Sequence, residues 1–289
     1  MHSKEEKMEA FGRLLDIMDK VREGCPWDRK QTFTTLRPQT VEEVYELGEA
    51  IMEGNKPEIC KELGDVLLHV VFYSKLGEEE GSFDVADVCD KISDKLVYRH
   101  PHIFGDVKVQ SAEDVSRNWE MLKTKEKDGN RTVLEGTRGL PTLLKAYRMQ
   151  DKARGVGFDW KEKEDVWDKV QEEIGEYRAE FDALAAIDKR LKAAEISGDT
   201  QEVQAQLKEE RKAAFDRAEA ECGDFIFSVV NAARLYKINP DNALERTCGK
   251  FLRRFNYLEE KTIKQGRDLH EMSLEEMDAL WNEAKAKGL

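Results

Sequence analysis

Glu62-Leu63-Gly64-Asp65-Val66-Leu67-Leu68-His69-Val70-Val71-Phe72-Tyr73 is the stretch whose reading decides the fold. Two carboxylates three positions apart open a run that is apolar on almost every side. Residues i and i+3 of a helix share a face, and Pro57 suits a first helical turn. The spacing predicts a helix from there through Glu62 to about Leu76, buried within a bundle. A carboxylate beside such a core needs a counter-charge. Upstream, Glu42-Glu43-Val44-Tyr45-Glu46 falls in a helix expected over Thr40 to Met52, with Thr40 and Glu43 in capping-box spacing. Glu43 and Glu46 then point together, as do Glu62 and Asp65. Laid side by side, the two helices bring four hard oxygen ligands into one place, which is the chemistry of Mg²⁺ or Mn²⁺.

The same pattern returns later in the chain. Glu172-Glu173-Ile174-Gly175-Glu176 is followed by Glu221-Cys222-Gly223-Asp224, so Glu173, Glu176, Glu221 and Asp224 form a second quartet. Around the quartets other elements repeat in order. Cys25-Pro26-Trp27-Asp28 has a counterpart in Gly157-Phe158-Asp159-Trp160. Lys95 to Arg99 is matched by Lys250 to Arg254, and Trp119 by Trp281. Lys95 and Arg99, like Lys250 and Arg254, stand at i and i+4 and can offer cations to phosphate oxygens. The copies differ in one spacing, because the second pair of acidic elements is separated by an insertion at about 183–213. It reads as a helical hairpin around Ser197-Gly198-Asp199-Thr200, with Asp199 and Glu202 as a further capping box.

Helical periodicity dominates elsewhere. Helices are expected over Phe11 to Val21, about Val85 to Val97 and about Ala112 to Lys125, and only Val107 to Val109 looks faintly extended. The expected class is all-α, with tandem helical-bundle domains at 1–125 and 142–289 and a Gly- and charge-rich linker at 126–141. With 289 residues and 40% apolar side chains the chain can build two ordinary cores. A charged fraction of 37% and a mean hydropathy of −0.69 leave strongly polar helix faces. A net charge of −13 excludes a basic grip on nucleic acid. No stretch is long and apolar enough for a bilayer. Met1 to Met8 lacks the apolar core of a signal peptide. Five scattered cysteines without a C-x-x-C pair suit a reducing cytoplasm.

Several chemistries are excluded by their motifs. No histidine has an acidic residue three positions before it, as ferritin-like di-iron sites require. P-loop, G-x-G-x-x-G, G-x-S-x-G and H-E-x-x-H patterns are all missing. His100-Pro101-His102 reads as a turn, and His2, His69 and His270 stand isolated. The tryptophans at 27, 119, 160 and 281 suit either a core or a platform for a base.

The ordered series C-P-W-D, E-E-x-x-E, E-L-G-D, K-L-x-x-R-H-P-H-x-F, then G-F-D-W, E-E-I-x-E, E-x-G-D and K-F-x-R-R-F closely resembles the two-domain MazG family of nucleoside triphosphate pyrophosphohydrolases. The resemblance spans nearly the whole chain outside the insertion. It implies helical homodimers that convert a nucleoside triphosphate to the monophosphate and pyrophosphate with Mg²⁺, as house-cleaning of the nucleotide pool. Carried across, it implies metal ligation by Glu173, Glu176, Glu221 and Asp224, with Glu43, Glu46, Glu62 and Asp65 matching in the first domain. It further implies nucleotide contacts from Lys169, Val170, Gln171, Glu172, Lys250, Arg253, Arg254 and Trp281. Glu172 or Glu173 is the candidate to orient or deprotonate the attacking water. Gly175 departs from the pattern, at a cost of about 1 kcal/mol against Ala in a helix. Gln39 stands where the second copy has Lys169, which directs the catalytic assignment to the second domain. A nucleotide sensor with little turnover is the alternative.

Overall fold

The computed structural model describes residues 1–111, 114–115, 118–119, 122, 132–264 and 266–289. Among them every regular element is helical, and the chain divides into two compact units, Met1–Asn118 and Trp119–Leu289. The expected extended segment at Val107 to Val109 forms no strand, and the helix expected over 112–125 lies largely outside the described residues. No helix among the described residues is long and apolar enough to cross a membrane.

The first unit contains α1 (Lys4–Gly24), α2 (Phe33–Glu53), α3 (Lys56–Glu79), α4 (Val85–Arg99) and the single turn α5 (Pro101–Phe104). α1 begins earlier than its apolar periodicity suggests, because Ser3 and Glu6 form a reciprocal capping box ahead of it. α2 also starts early. Thr32 and Thr35 cap it, and Pro38 is accommodated inside the helix. Thr40 is therefore not the cap that its spacing with Glu43 suggests. Its hydroxyl donates instead to the Leu36 carbonyl, 3.0 Å away. Gly54, in the left-handed region at φ 71°, ends α2. Asn55, the next residue, caps α3, with Pro57 in the first turn as its sequence predicts.

The core of this unit joins Met18 of α1, Leu36 of α2 and Val71, Phe72 and Leu76 of α3. α3 is not buried all round, contrary to the expectation from its composition. Leu63 is 51% exposed, and Leu67, Leu68 and Val70 are also exposed, because α1 and α2 cover only one side of it.

The second unit contains α6 (Thr142–Gly155), α7 (Val166–Ser197), α8 (Gln201–Leu235), α9 (Pro240–Lys264) and α10 (Leu274–Ala286). Residues 132–137 pack on α6, where Lys152 Nζ donates to the carbonyls of Val133 and Glu135 at 3.1 and 2.8 Å. The insertion forms a helical hairpin, as the sequence predicts. It lengthens the two helices that carry the second quartet, which run unbroken to a turn at Gly198 (φ 71°). Beyond the carboxylates each arm is fourteen residues longer than its counterpart in α2 or α3, about 21 Å at the helical rise.

Leu184, Ala194, Leu207, Ala214 and Ala218 are buried along this ribbon. Ion pairs Arg190–Glu210 (3.0 Å) and Arg217–Glu180 (2.9 Å) cross it. Thr200, rather than Asp199, caps α8 by accepting from the Val203 amide; the Asp199 carboxylate takes the Ser197 hydroxyl at 2.8 Å. At the other end, Asp159 of the G-F-D-W element makes a two-pronged ion pair with the buried Arg234 of α8, one arm at 3.1 Å.

Candidate active sites: two carboxylate clusters

α2 and α3 pack side by side, so the i, i+3 pairs on each meet as their spacing requires. One carboxylate oxygen from each of Glu43, Glu62 and Asp65 lies within 4.8 Å of the others. Glu46 stands outside that tight group, exposed at the cleft beside it. Glu62 is only 2% exposed. Its Oε1 accepts from Lys61 Nζ at 2.8 Å, while its buried Oε2 has no hydrogen-bond partner. A buried carboxylate oxygen left unmatched is costly, and a divalent cation is the partner that three converging carboxylates would satisfy.

The second unit repeats the arrangement with the roles redistributed. Glu173, Glu176 and Glu221 converge within the same 4.8 Å, and Asp224 lies exposed outside the group. Here the buried member is Glu173, on the first helix of the pair, whereas in the first unit it is Glu62, on the second helix. Lys169 Nζ bridges Glu173 at 2.7 Å and Glu172 at 3.1 Å, and these bonds raise its pKa. Gly175 meets nothing where a Cβ would stand, so no close approach explains it.

Both clusters carry electrostatic strain. Burial, then the neighbouring carboxylates Asp65, Glu46, Glu62 and Glu42, raise the Glu43 pKa above its ordinary 4.5. Glu221 is raised in the same way by burial and by Glu176, Asp224, Glu173 and Glu180. A carboxyl group whose folded pKa is raised contributes stability that is fully present below the unfolded value and lost as pH rises through the folded one. The metal-free protein is therefore expected to lose this contribution as pH climbs from about 4.5 towards neutrality. At pH 7, Mg²⁺ or Mn²⁺ at ~100 times its Kd is expected to raise Tm by roughly 5 °C. Thermal melts with each cation, and with NaCl at matched ionic strength, check this; equal shifts in all three would remove the metal site.

The remaining candidate residues are placed as follows. Val170 is buried on the inner face of α7 in a core with Val166 and Ala232. Gln171 and Glu172 are exposed beside it. Arg254 Nε donates to the Leu289 carbonyl at 2.7 Å and its guanidinium stacks 5.6 Å from the Trp281 ring. Trp281 also packs against Phe251, with centroids 5.1 Å apart. Lys250 and Arg253 are exposed on α9, as is Lys95 on α4, where Arg99 is half-buried.

The first cluster opens onto a cleft of about 580 Å³, within the range of about 300–1,000 Å³ typical of small-molecule sites. Glu42, Glu43 and Glu46 line one part of it. Met18, Trp27 and Phe72 supply apolar wall. His69, isolated in the sequence, is also in this lining. Its partner Thr40, which also meets the Tyr73 hydroxyl, becomes visible only when α2 and α3 are packed together.

The model of the MazG nucleotide pyrophosphohydrolase domain matches residues 31–104, which holds the first quartet. The chain is 39% identical to the nucleoside triphosphate pyrophosphohydrolase/pyrophosphatase MazG of Thermotoga maritima, over 95% of each chain. It is 37% identical to the nucleoside triphosphate pyrophosphohydrolase of Escherichia coli K12, over 96% of this chain and 98% of that one. A protein of Bacillus subtilis, YabN, is 43% identical over 98% of this chain and 53% of its own length.

Proposed function

Because the chain belongs to the MazG family of nucleotide pyrophosphohydrolases, we propose that it hydrolyses nucleoside triphosphates to the monophosphate and pyrophosphate with Mg²⁺ or Mn²⁺. The observation that carries this reading is the double convergence of three carboxylates within 4.8 Å, each group holding one buried member. All-oxygen donors suit hard divalent cations. The orphaned Glu62 Oε2 supports a cation as the missing partner of the first cluster.

The second unit is proposed as the main catalytic site, with Glu173, Glu176, Glu221 and Asp224 around the cation. These residues would hold the cation, which would supply neutralisation of charge on the triphosphate while the bond from the α-phosphorus to the α,β-bridging oxygen is cleaved. Exposed Glu172 orients the attacking water and takes its proton. Lys169 is poised to exchange its contacts with Glu172 and Glu173 for phosphate oxygens. Lys250, Arg253, Arg254 and Trp281 are the proposed further substrate contacts in this unit, and Lys95 and Arg99 those of the first.

A homodimer is proposed from the exposed apolar side chains of the first unit. Val44, Tyr45 and Leu63 are 52%, 62% and 51% exposed, and a partner copy would cover them. The absence of any disulfide among the five cysteines fits the proposed cytoplasmic setting. House-cleaning of the nucleotide pool is the proposed role.

The test is incubation with a panel of NTPs and dNTPs plus Mg²⁺, with products separated by anion exchange. Monophosphate and pyrophosphate, abolished by EDTA, are expected. Diphosphate and phosphate would overturn the assignment of the broken bond. Metal-dependent binding without product would replace the hydrolase by a nucleotide sensor.

A further inference from the structure

The two carboxylate clusters differ in what stands next to them. In the first unit Thr40 lies one turn before Glu43 on α2, and His69 one turn after Asp65 on α3. Thr40 Oγ1 is 3.0 Å from His69 Nδ1 and 2.7 Å from the Tyr73 hydroxyl. The residues at the same register in the second unit are Val170, Ser228 and Ala232. There Val170 and Ala232 are ordinary core, and Ser228 turns its hydroxyl back to the Phe225 carbonyl. The polar network is therefore particular to the first unit.

We assign the direction of its hydrogen bonds by counting protons. The Thr40 hydroxyl has one proton, and the Leu36 carbonyl at 3.0 Å can only accept it. Thr40 Oγ1 is then the acceptor for both the Tyr73 hydroxyl and His69 Nδ1–H. This assignment leaves a lone pair on His69 Nε2. Burial lowers the His69 pKa, which keeps the ring neutral near pH 7. The ring is 8% exposed and lines the cleft of about 580 Å³ that also contains Glu43, Glu46, Trp27 and Phe72. On the hydrolase reading, a nucleotide whose phosphates meet a cation at the carboxylates would place its base in the same cleft, against the walls of Met18, Trp27 and Phe72 and beside His69. Such a pocket discriminates through its few fixed polar atoms.

We propose that His69, oriented by Thr40 and Tyr73, is the base-reading residue of the first unit, and that its Nε2 accepts a hydrogen bond from an exocyclic amine of the nucleobase. The inference rests on the reading of the chain as a nucleoside triphosphate enzyme, and deepens it. The first unit then favours amino bases over their carbonyl or unsubstituted analogues. The second unit, with Val170, Ser228 and Ala232 at those positions, lacks this preference.

The experiment compares ATP, purine riboside triphosphate and ITP, each with Mg²⁺, by calorimetric titration of the full chain. The background is Glu173→Gln, which suppresses turnover by the proposed second site. One binding event is expected to prefer ATP over purine riboside triphosphate by about tenfold, the worth of one well-placed hydrogen bond. His69→Phe should reduce that ratio to about one with little change for purine riboside triphosphate. His69→Gln, which keeps an acceptor of similar reach, should retain part of it and serves if the phenylalanine variant fails to fold. An unchanged ratio in the folded variants, a preference for ITP, or no nucleotide binding beyond the second unit's would each overturn the inference. Those results leave the hydrolase reading intact if the unmodified chain still releases pyrophosphate. Loss of the hydrolase reading, conversely, would appear as no product from any triphosphate while the binding ratios still report on His69.

Discussion

Glu173→Gln is expected to lower pyrophosphohydrolase turnover by about 100- to 1,000-fold, the range found when one preorganised charge-stabilising group is removed. Glu173 is 6% exposed, belongs to the converging group of the second unit and pairs with Lys169 at 2.7 Å. Glutamine keeps the volume and removes the charge, so helicity by circular dichroism should not change. The same substitution relieves repulsion on Glu221, so the metal-free variant should be no less stable than the parent. Activity lost without stability lost is the mark of a site whose groups are held against their own interest. A rate close to that of the parent, combined with a loss in Glu62→Gln, would move the chemistry to the first unit.

Arg234→Ala is expected to destabilise the second unit by about 3–5 kcal/mol, measured by urea unfolding, because it leaves Asp159 partly buried without its counter-charge. The Arg234 side chain is 4% exposed and Asp159 18%. The guanidinium also bonds Asn231 Oδ1 at 3.0 Å through Nε. The pair fixes the G-F-D-W element to the helix that carries Glu221 and Asp224. Replacing both partners, as Asp159→Leu with Arg234→Met, should recover much of the loss, since a well-packed apolar pair often matches a buried ion pair. A cost below about 1 kcal/mol for the single change would place this pair with exposed surface salt bridges.

Much of this architecture was readable from local chemistry. The i, i+3 carboxylates, Pro57 in a first turn and the repetition of both acidic elements depend on nearest neighbours along a helix, and the helices formed where those signals lay. Thr40 was legible only as a polar residue three before a glutamate, which is the spacing of a cap. The true cap at Thr32 lies ahead of Pro38, a residue that ordinarily argues against continuing a helix. His69 looked isolated because its hydrogen-bond partner, Thr40, stands 29 positions away. That Val170 lies on the inner face of α7 could be known only once α8 was laid against it. The exposed side of α3 has a similar cause. Composition reports that a helix is apolar all round, but not how many neighbours one chain supplies to cover it.

The long ribbon of α7 and α8 has a geometrical consequence for how such a chain can grow. Fourteen residues make two heptads, the repeat that keeps a seam between paired helices in phase. Because both arms gained the same length, the two helices stay level with each other along the seam. The carboxylates at the base of the ribbon kept their facing. One extra residue in the α8 arm alone would have turned everything beyond it by about 100°, setting Glu221 and Asp224 against a different face of α7. Matched growth in whole heptads extends the pair while leaving the chemistry at its foot untouched.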